Sequence, residues 1–221
     1  MNYHHRGFET YGTLTDVMAQ AIMQMEVFYL LTEDQVRNIF IETDALRQGH
    51  FLLSSGMHSN EYWEKFWVLQ HPRLVTQLCT EIARRFENSE IQAVMGPTTG
   101  GILLAFETAR ILGTRALYAE KEGGSRALRR GLKLERGTPI LIVDDVMTTG
   151  GATRECLELA ERHGANVQGV AILVDRSGGT VDLGIRTESL LNVKADVYDP
   201  AKCPLCDKDL PLISPGTTHD R

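Results

Sequence analysis

Asp144 and Asp145 stand side by side after the apolar run Ile140 to Val143, and Val146, Met147, Thr148, Thr149, Gly150, Gly151 and Ala152 follow them. An amphipathic stretch, Arg154 to His163, comes next. The order is that of a buried strand, two carboxylates, a loop of small and hydroxylated residues, and a helix start. A helix start leaves N–H groups unpaired and carries the positive end of the helix dipole, which makes it an anion cradle. Glycines let the backbone approach a phosphate closely, and the hydroxyls of Thr148, Thr149 and Thr153 are expected to donate to its oxygens. The carboxylates need another partner, because phosphate repels them: sugar hydroxyls, or Mg²⁺, which bridges carboxylate and phosphate oxygens. A ribose phosphate satisfies both halves. A P-loop would need a Gly-Lys-Ser/Thr ending and a dinucleotide fold a G-x-G-x-x-G after an early strand, and neither is present.

A second glycine loop, Gly96-Pro97-Thr98-Thr99-Gly100-Gly101, lies between an apolar run and a helical pattern, so its backbone is placed to meet a second anion. Arg176 follows the apolar run Val167 to Val174; a planar guanidinium suits a carboxylate or carbonyl on a flat heterocycle, an ion pair with Asp175 or a neighbour being the alternative. Lys121 sits in the charged, glycine-containing segment Glu120 to Arg130, whose composition suits a mobile lid.

These motifs together resemble the phosphoribosyl pyrophosphate (PRPP) signature of the type I phosphoribosyltransferases. The segments Gly49 to Ser59, Gly96 to Gly101, Ala119 to Glu122, Leu128 to Gly131 and Leu173 to Gly178 are similar, in order and spacing, to the orotate phosphoribosyltransferase family, over about residues 34 to 206. The resemblance implies transfer of ribose 5-phosphate from PRPP to orotate, with Mg²⁺ bound mainly through PRPP. It implies that Asp144, Asp145 and Val146 to Ala152 bind PRPP, that Thr98, Thr99 and Gly100 form the pyrophosphate loop, and that Thr148 and Arg176 hold orotate. Lys121 matches a lysine that the family's flexible loop brings to the pyrophosphate, often across a homodimer interface. The sequence departs from many members where Glu120 replaces an Arg, Ser54 and Gly100 each replace a Lys, and Trp63-Glu64 replaces an aromatic pair; a branch with a shorter loop resembles it better. Arg126, Arg129 and Arg130 are therefore also candidates for the pyrophosphate. The rival readings are the same chemistry on a purine or uracil, and a PRPP-binding regulator without turnover.

The elements that must position these groups follow from periodicity. Beyond Gly49, strands at 91–95, 115–119, 140–143 and 167–174 alternate with helices at 101–112 and 154–163, the pattern of an α/β fold with a mainly parallel sheet flanked by helices; the resemblance implies the type I phosphoribosyltransferase fold, with a small hood built from N-terminal and C-terminal segments. In such sheets ligands collect beyond the carboxyl ends of the strands. Thr32 with Gln35 forms a capping-box signature for a helix expected to reach about Arg47. Residues 1–31 read as an N-terminal extension with an amphipathic helix, 32–206 as the phosphoribosyltransferase domain, and 207–221 as a tail; everything from Asp199 reads as loop and frayed terminus.

With 221 residues, 43% of them hydrophobic, the chain buries one substantial core and carries no apolar run long enough for a membrane span. A net charge of −6 argues against a nucleic-acid surface, so the expected partner is a small molecule, with no nucleic acid and no membrane; the resemblance implies PRPP and orotate. Four cysteines and no evident signal peptide fit a reducing cytoplasm. Cys156 reads as core packing. Cys203-Pro-Leu-Cys206 is a single CxxC with no second CxxC or matching His pair nearby, so no metal ligand is assigned; zinc there would call on ligands shared between subunits.

Overall fold

Thr32 opens the first element of the computed structural model, which describes residues 30–53, 55–194 and 196–215. Its hydroxyl accepts from the Gln35 N–H at 3.2 Å while the Gln35 side chain accepts from the Thr32 N–H at 3.0 Å, the reciprocal capping box expected for helix α1, Glu33–Glu42. The helix stops short of Arg47. Thr43 Oγ1 donates back to the Ile39 carbonyl at 2.7 Å, Asp44 turns to a φ of 56°, and Leu46 already belongs to a strand. The amphipathic helix expected within residues 1–31 falls outside the described residues, which begin at Leu30; Leu31 packs on the core.

The main sheet has six strands in the order β5-β4-β3-β6-β7-β8: β3 Ala93–Pro97, β4 Arg115–Glu122, β5 Ser125–Ala127, β6 Pro139–Met147, β7 Asn166–Asp175 and β8 Thr187–Asn192. All neighbours are parallel except β4 and β5. Strand periodicity divides the core in two. Leu141, Val143, Ala171 and Leu173 face helices α3 (Pro72–Arg85) and α4 (Gly100–Leu112), while Ile140, Ile142, Val170 and Ile172 face helix α5 (Gly151–His163). Cys79 and Cys156 are each fully buried in these layers, and burial pushes both thiols up to about 12, so Cys156 packs and does not react at neutral pH.

A second sheet forms the hood, in the order β10-β1-β2-β9, from β1 Leu46–Leu52, β2 His58–Trp63, β9 Val197–Tyr198 and β10 Leu212–Ile213. Helix α2, Lys65–Leu69, leads from β2 back to the main body. The segment after Asp199, expected as loop, instead makes a 3-10 turn at Pro200–Lys202 and then pairs Leu212 and Ile213 in parallel with His50 and Phe51. The β1–β2 hairpin also corrects the expectation that Cys203 and Cys206 lack a matching His pair. His50 and His58, remote in sequence, lie against both cysteines.

Candidate active site

Strand β6 is longer than its apolar run: it continues through the two aspartates to Met147, so both carboxylates rise from rigid sheet rather than from a loop. Asp144 and Asp145 are 5% and 2% exposed. Asp144 accepts from the Asp145 N–H at 2.9 Å and from Thr153 Oγ1 at 3.2 Å. Burial, with Asp145 beside it, pushes the Asp144 carboxyl up from 3.8 to about 6. Asp145 Oδ1 accepts from the Val146 N–H at 2.6 Å and from Lys65 Nζ at 2.8 Å, while its Oδ2 is buried with no hydrogen-bond partner among the described residues. Lys65 is the functional candidate that sequence reading missed. It is the first residue of α2, and a single lysine in a five-residue helix carries no motif that points to Asp145.

Thr148 and Thr149 are exposed, Gly150 takes a φ of 75°, and α5 begins at Gly151 with no side chain capping it. Gly150 is required here: the left-handed φ disfavours a side chain, and a Cβ would come within 2.7 Å of Val181 Cγ1. The first N–H groups of α5 thus face the loop unpartnered by a cap. Thr153 does not join them as a phosphate donor. Its hydroxyl is buried and turned to Asp144, because the first turn of α5 packs directly over the end of β6. Val146 and Met147 complete the strand, and Ala152 lies in the first turn of α5.

The second loop, Thr98 and Thr99 leading into Gly100 at the start of α4, lies at the same end of the neighbouring strand β3. A Cβ on Gly100 would overlap Asp145 Oδ2, so the glycine is what lets the two loops close on one another. Arg126, a candidate for the pyrophosphate, is buried against that loop: a guanidinium N–H donates to Thr98 Oγ1 at 3.3 Å and to the Ala119 carbonyl at 2.9 Å, with Nε 3.0 Å from Glu155. The expected lid between Glu120 and Arg130 begins as a hairpin, β4 to β5, whose two-residue turn at Gly123 and Gly124 has positive φ at both positions, as a type I′ turn requires. Lys121 is exposed on β4, and Arg129 and Arg130 pair at the surface with Glu122 and Glu120.

Arg176 leaves the end of β7 beside the start of the Thr148 loop, its N–H donating to the Met147 carbonyl at 2.8 Å. No ion pair joins it to Asp175, whose carboxylate accepts from the Ser177 N–H. The guanidinium lies 6.0 Å from the Trp63 ring centroid, and its Nε is buried without a hydrogen-bond partner among the described residues. Burial lowers the Arg176 pKa from its ordinary value, with Glu61 opposing that shift, and a guanidinium remains charged throughout. The arrangement is a cation beside an aromatic face with donors left over, at one edge of an anion cradle.

The fold and this site define a phosphoribosyltransferase, and a family model described as "Phosphoribosyl transferase domain" matches residues 68–194. The orotate phosphoribosyltransferase of Desulforamulus reducens is 48% identical over 187 residues, 85% of this chain and 98% of that one. That of Thermotoga maritima is 41% identical over 182 residues, 82% of this chain and 97% of its own length. The crystal structure of orotate phosphoribosyltransferase from Aeropyrum pernix aligns with a TM-score of 0.59 at 26% identity, covering 72% of this chain and 94% of that one. The chain belongs to the orotate phosphoribosyltransferase family.

Proposed function

We propose that the protein transfers the ribose 5-phosphate of PRPP to orotate, giving orotidine 5′-phosphate and pyrophosphate in pyrimidine nucleotide synthesis. The observation that carries this reading is Arg176: a half-buried guanidinium with unused donors beside Trp63, next to the phosphate-binding loop. Its planar fork suits the orotate carboxylate, which uracil and the purines lack.

In this reading the backbone N–H groups from Thr149 to Ala152 and the Thr148 and Thr149 hydroxyls hold the 5-phosphate at the start of α5. Asp144 and Asp145 accept from the ribose hydroxyls, and Asp145 Oδ2, buried and unpartnered, is the oxygen with most to gain. Thr98 to Gly100 hold the pyrophosphate. The C1–oxygen bond to pyrophosphate breaks, the bond from C1 to N1 of orotate forms, and the N1 proton is released. Positive charge grows on the ribose ring as pyrophosphate departs, so the buried Asp144–Asp145 pair stabilises the sugar while Arg176 and Thr148 keep the base in line. Lys65 leaves Asp145 for the departing pyrophosphate, and Lys121 reaches it from the β4–β5 hairpin.

The carboxylate oxygens of Asp144 and Asp145 form an all-oxygen donor set, which fits Mg²⁺ carried in on PRPP. When bound, Mg²⁺ neutralises phosphate charge. We further propose a cytoplasmic homodimer. Leu103 and Phe106 are exposed three residues apart on α4, and Phe66 and Trp67 are exposed on α2, an apolar surface suited to a second copy. Size-exclusion chromatography with light scattering reads its stoichiometry directly.

Orotate consumption, followed by ultraviolet absorbance with PRPP and Mg²⁺ beside parallel reactions with uracil, adenine, hypoxanthine and guanine, tests the proposal. PRPP-dependent loss of orotate alone is expected. Turnover of a different base, or of none, overturns it.

A further inference from the structure

We propose that His50, His58, Cys203 and Cys206 form a structural zinc site that staples the C-terminal segment to the hood. One ligand atom from each residue lies within 4.8 Å of the others. His50 Nε2 is 3.6 Å from Cys203 Sγ and 3.7 Å from Cys206 Sγ, and His58 Nδ1 is 3.4 Å from Cys206 Sγ. A tetrahedral zinc with bonds of about 2.0 Å to nitrogen and 2.3 Å to sulfur sets such atoms about 3.6 Å apart. The two nitrogens are 2.8 Å apart, closer than the roughly 3.3 Å such a tetrahedron asks, so the rings part by about half an ångström when the ion enters.

The surroundings favour a metal over a simple polar cluster. His50 Nδ1 lies 2.8 Å from the Leu210 carbonyl, which only accepts, so Nδ1 carries the proton and Nε2 presents a bare lone pair to the cluster. A histidine oriented through its other ring nitrogen by a backbone carbonyl is the usual support of a metal ligand. His50, His58 and Cys203 are 2%, 6% and 1% exposed, and buried polar groups need partners. The N–H groups of Cys206 and Asp207 both donate to the Cys203 carbonyl, at 3.1 and 3.3 Å, in a tight turn that brings the two sulfurs to one side. Two thiolates and two imidazoles select zinc over the hard cations Mg²⁺ and Ca²⁺, and a site with four protein ligands has no open position for chemistry.

The fold also shows what the ion is needed for. Strands β9 and β10 have two residues each, and Val197, Leu212 and Ile213 are 46%, 46% and 50% exposed, so little apolar burial holds this segment in place. The ligands join it to β1 and β2 on either side of the hairpin loop at 53–57. Zinc would therefore hold the hood together without touching substrate.

Elemental analysis of the full chain, purified without a histidine tag or chelator, tests this. About one zinc per chain is expected, falling at least tenfold in Cys206→Ser and in His58→Ala. Removing zinc with a strong chelator should lower Tm by several degrees, restored by Zn²⁺ and not by Mg²⁺. Co²⁺ in its place should show a thiolate charge-transfer band and tetrahedral visible bands, a readout independent of catalysis. Substoichiometric zinc that does not rise on incubation with Zn²⁺ would overturn the proposal, as would zinc retained in both variants or a Cys203–Cys206 disulfide in protein prepared under reducing conditions.

Discussion

Lys65 Nζ and Asp145 Oδ1 lie 2.8 Å apart although 80 residues separate them in the chain. The pair places a partly exposed cation on a carboxylate that is almost wholly buried, at the carboxyl end of β6. Lys65 thereby supplies a positive charge near Gly100, where this fold has no room for a side chain. Lys65→Ala is expected to lower kcat/KM for PRPP by at least about tenfold and to lower Tm as well, since it leaves the buried Asp145 carboxylate without its counter-charge. Steady-state kinetics beside a thermal melt separate the two effects; unchanged kinetics would remove Lys65 from the mechanism.

Asp144 predicts a pH dependence. Its folded pKa, about 6, exceeds the ordinary 3.8, so the folded chain binds this proton more tightly than the unfolded one. The contribution to stability is therefore fully present below about pH 4 and is lost as pH rises through about 6, by up to about 3 kcal/mol. Asp144→Asn removes this dependence: relative to the parent, the substrate-free variant should gain Tm between about pH 4 and pH 7. A difference in Tm that stays flat across that range would contradict the burial argument.

Gly100→Ala places a methyl group against Asp145 Oδ2. The α4 start or the carboxylate must shift, at a cost of about 1–3 kcal/mol. PRPP binding measured by calorimetry should weaken far more than Tm falls, because the displaced group is the one that meets ribose. Retained PRPP affinity would show that Asp145 is not a sugar ligand.

Arg176→Ala should raise KM for orotate at least about tenfold while leaving KM for PRPP nearly unchanged. Arg176→Lys is expected to restore little, since an ammonium lacks the planar fork. Parallel increases for both substrates would argue against a base anchor.

The residues Ile140 to Gly151 were legible as a cradle because strand, carboxylates, glycines and helix start follow one another in the chain, each step set by local backbone preference. The same holds for the Thr32 capping box and for the alternating pattern that announces a parallel sheet. Boundaries were less legible: β6 runs past its apolar residues to Met147 because its neighbours supply hydrogen bonds that hydropathy does not report. What tertiary structure alone decided is which distant side chains meet. Thr153 turns to Asp144, Arg126 meets Glu155, the Ala119 carbonyl and Thr98, Lys65 reaches Asp145, and two histidines of a hairpin close on Cys203 and Cys206. Spacing along the sequence carries no record of such contacts, because they depend on how helices pack on the sheet and how the hood folds back, and those are settled by burial summed over the whole core.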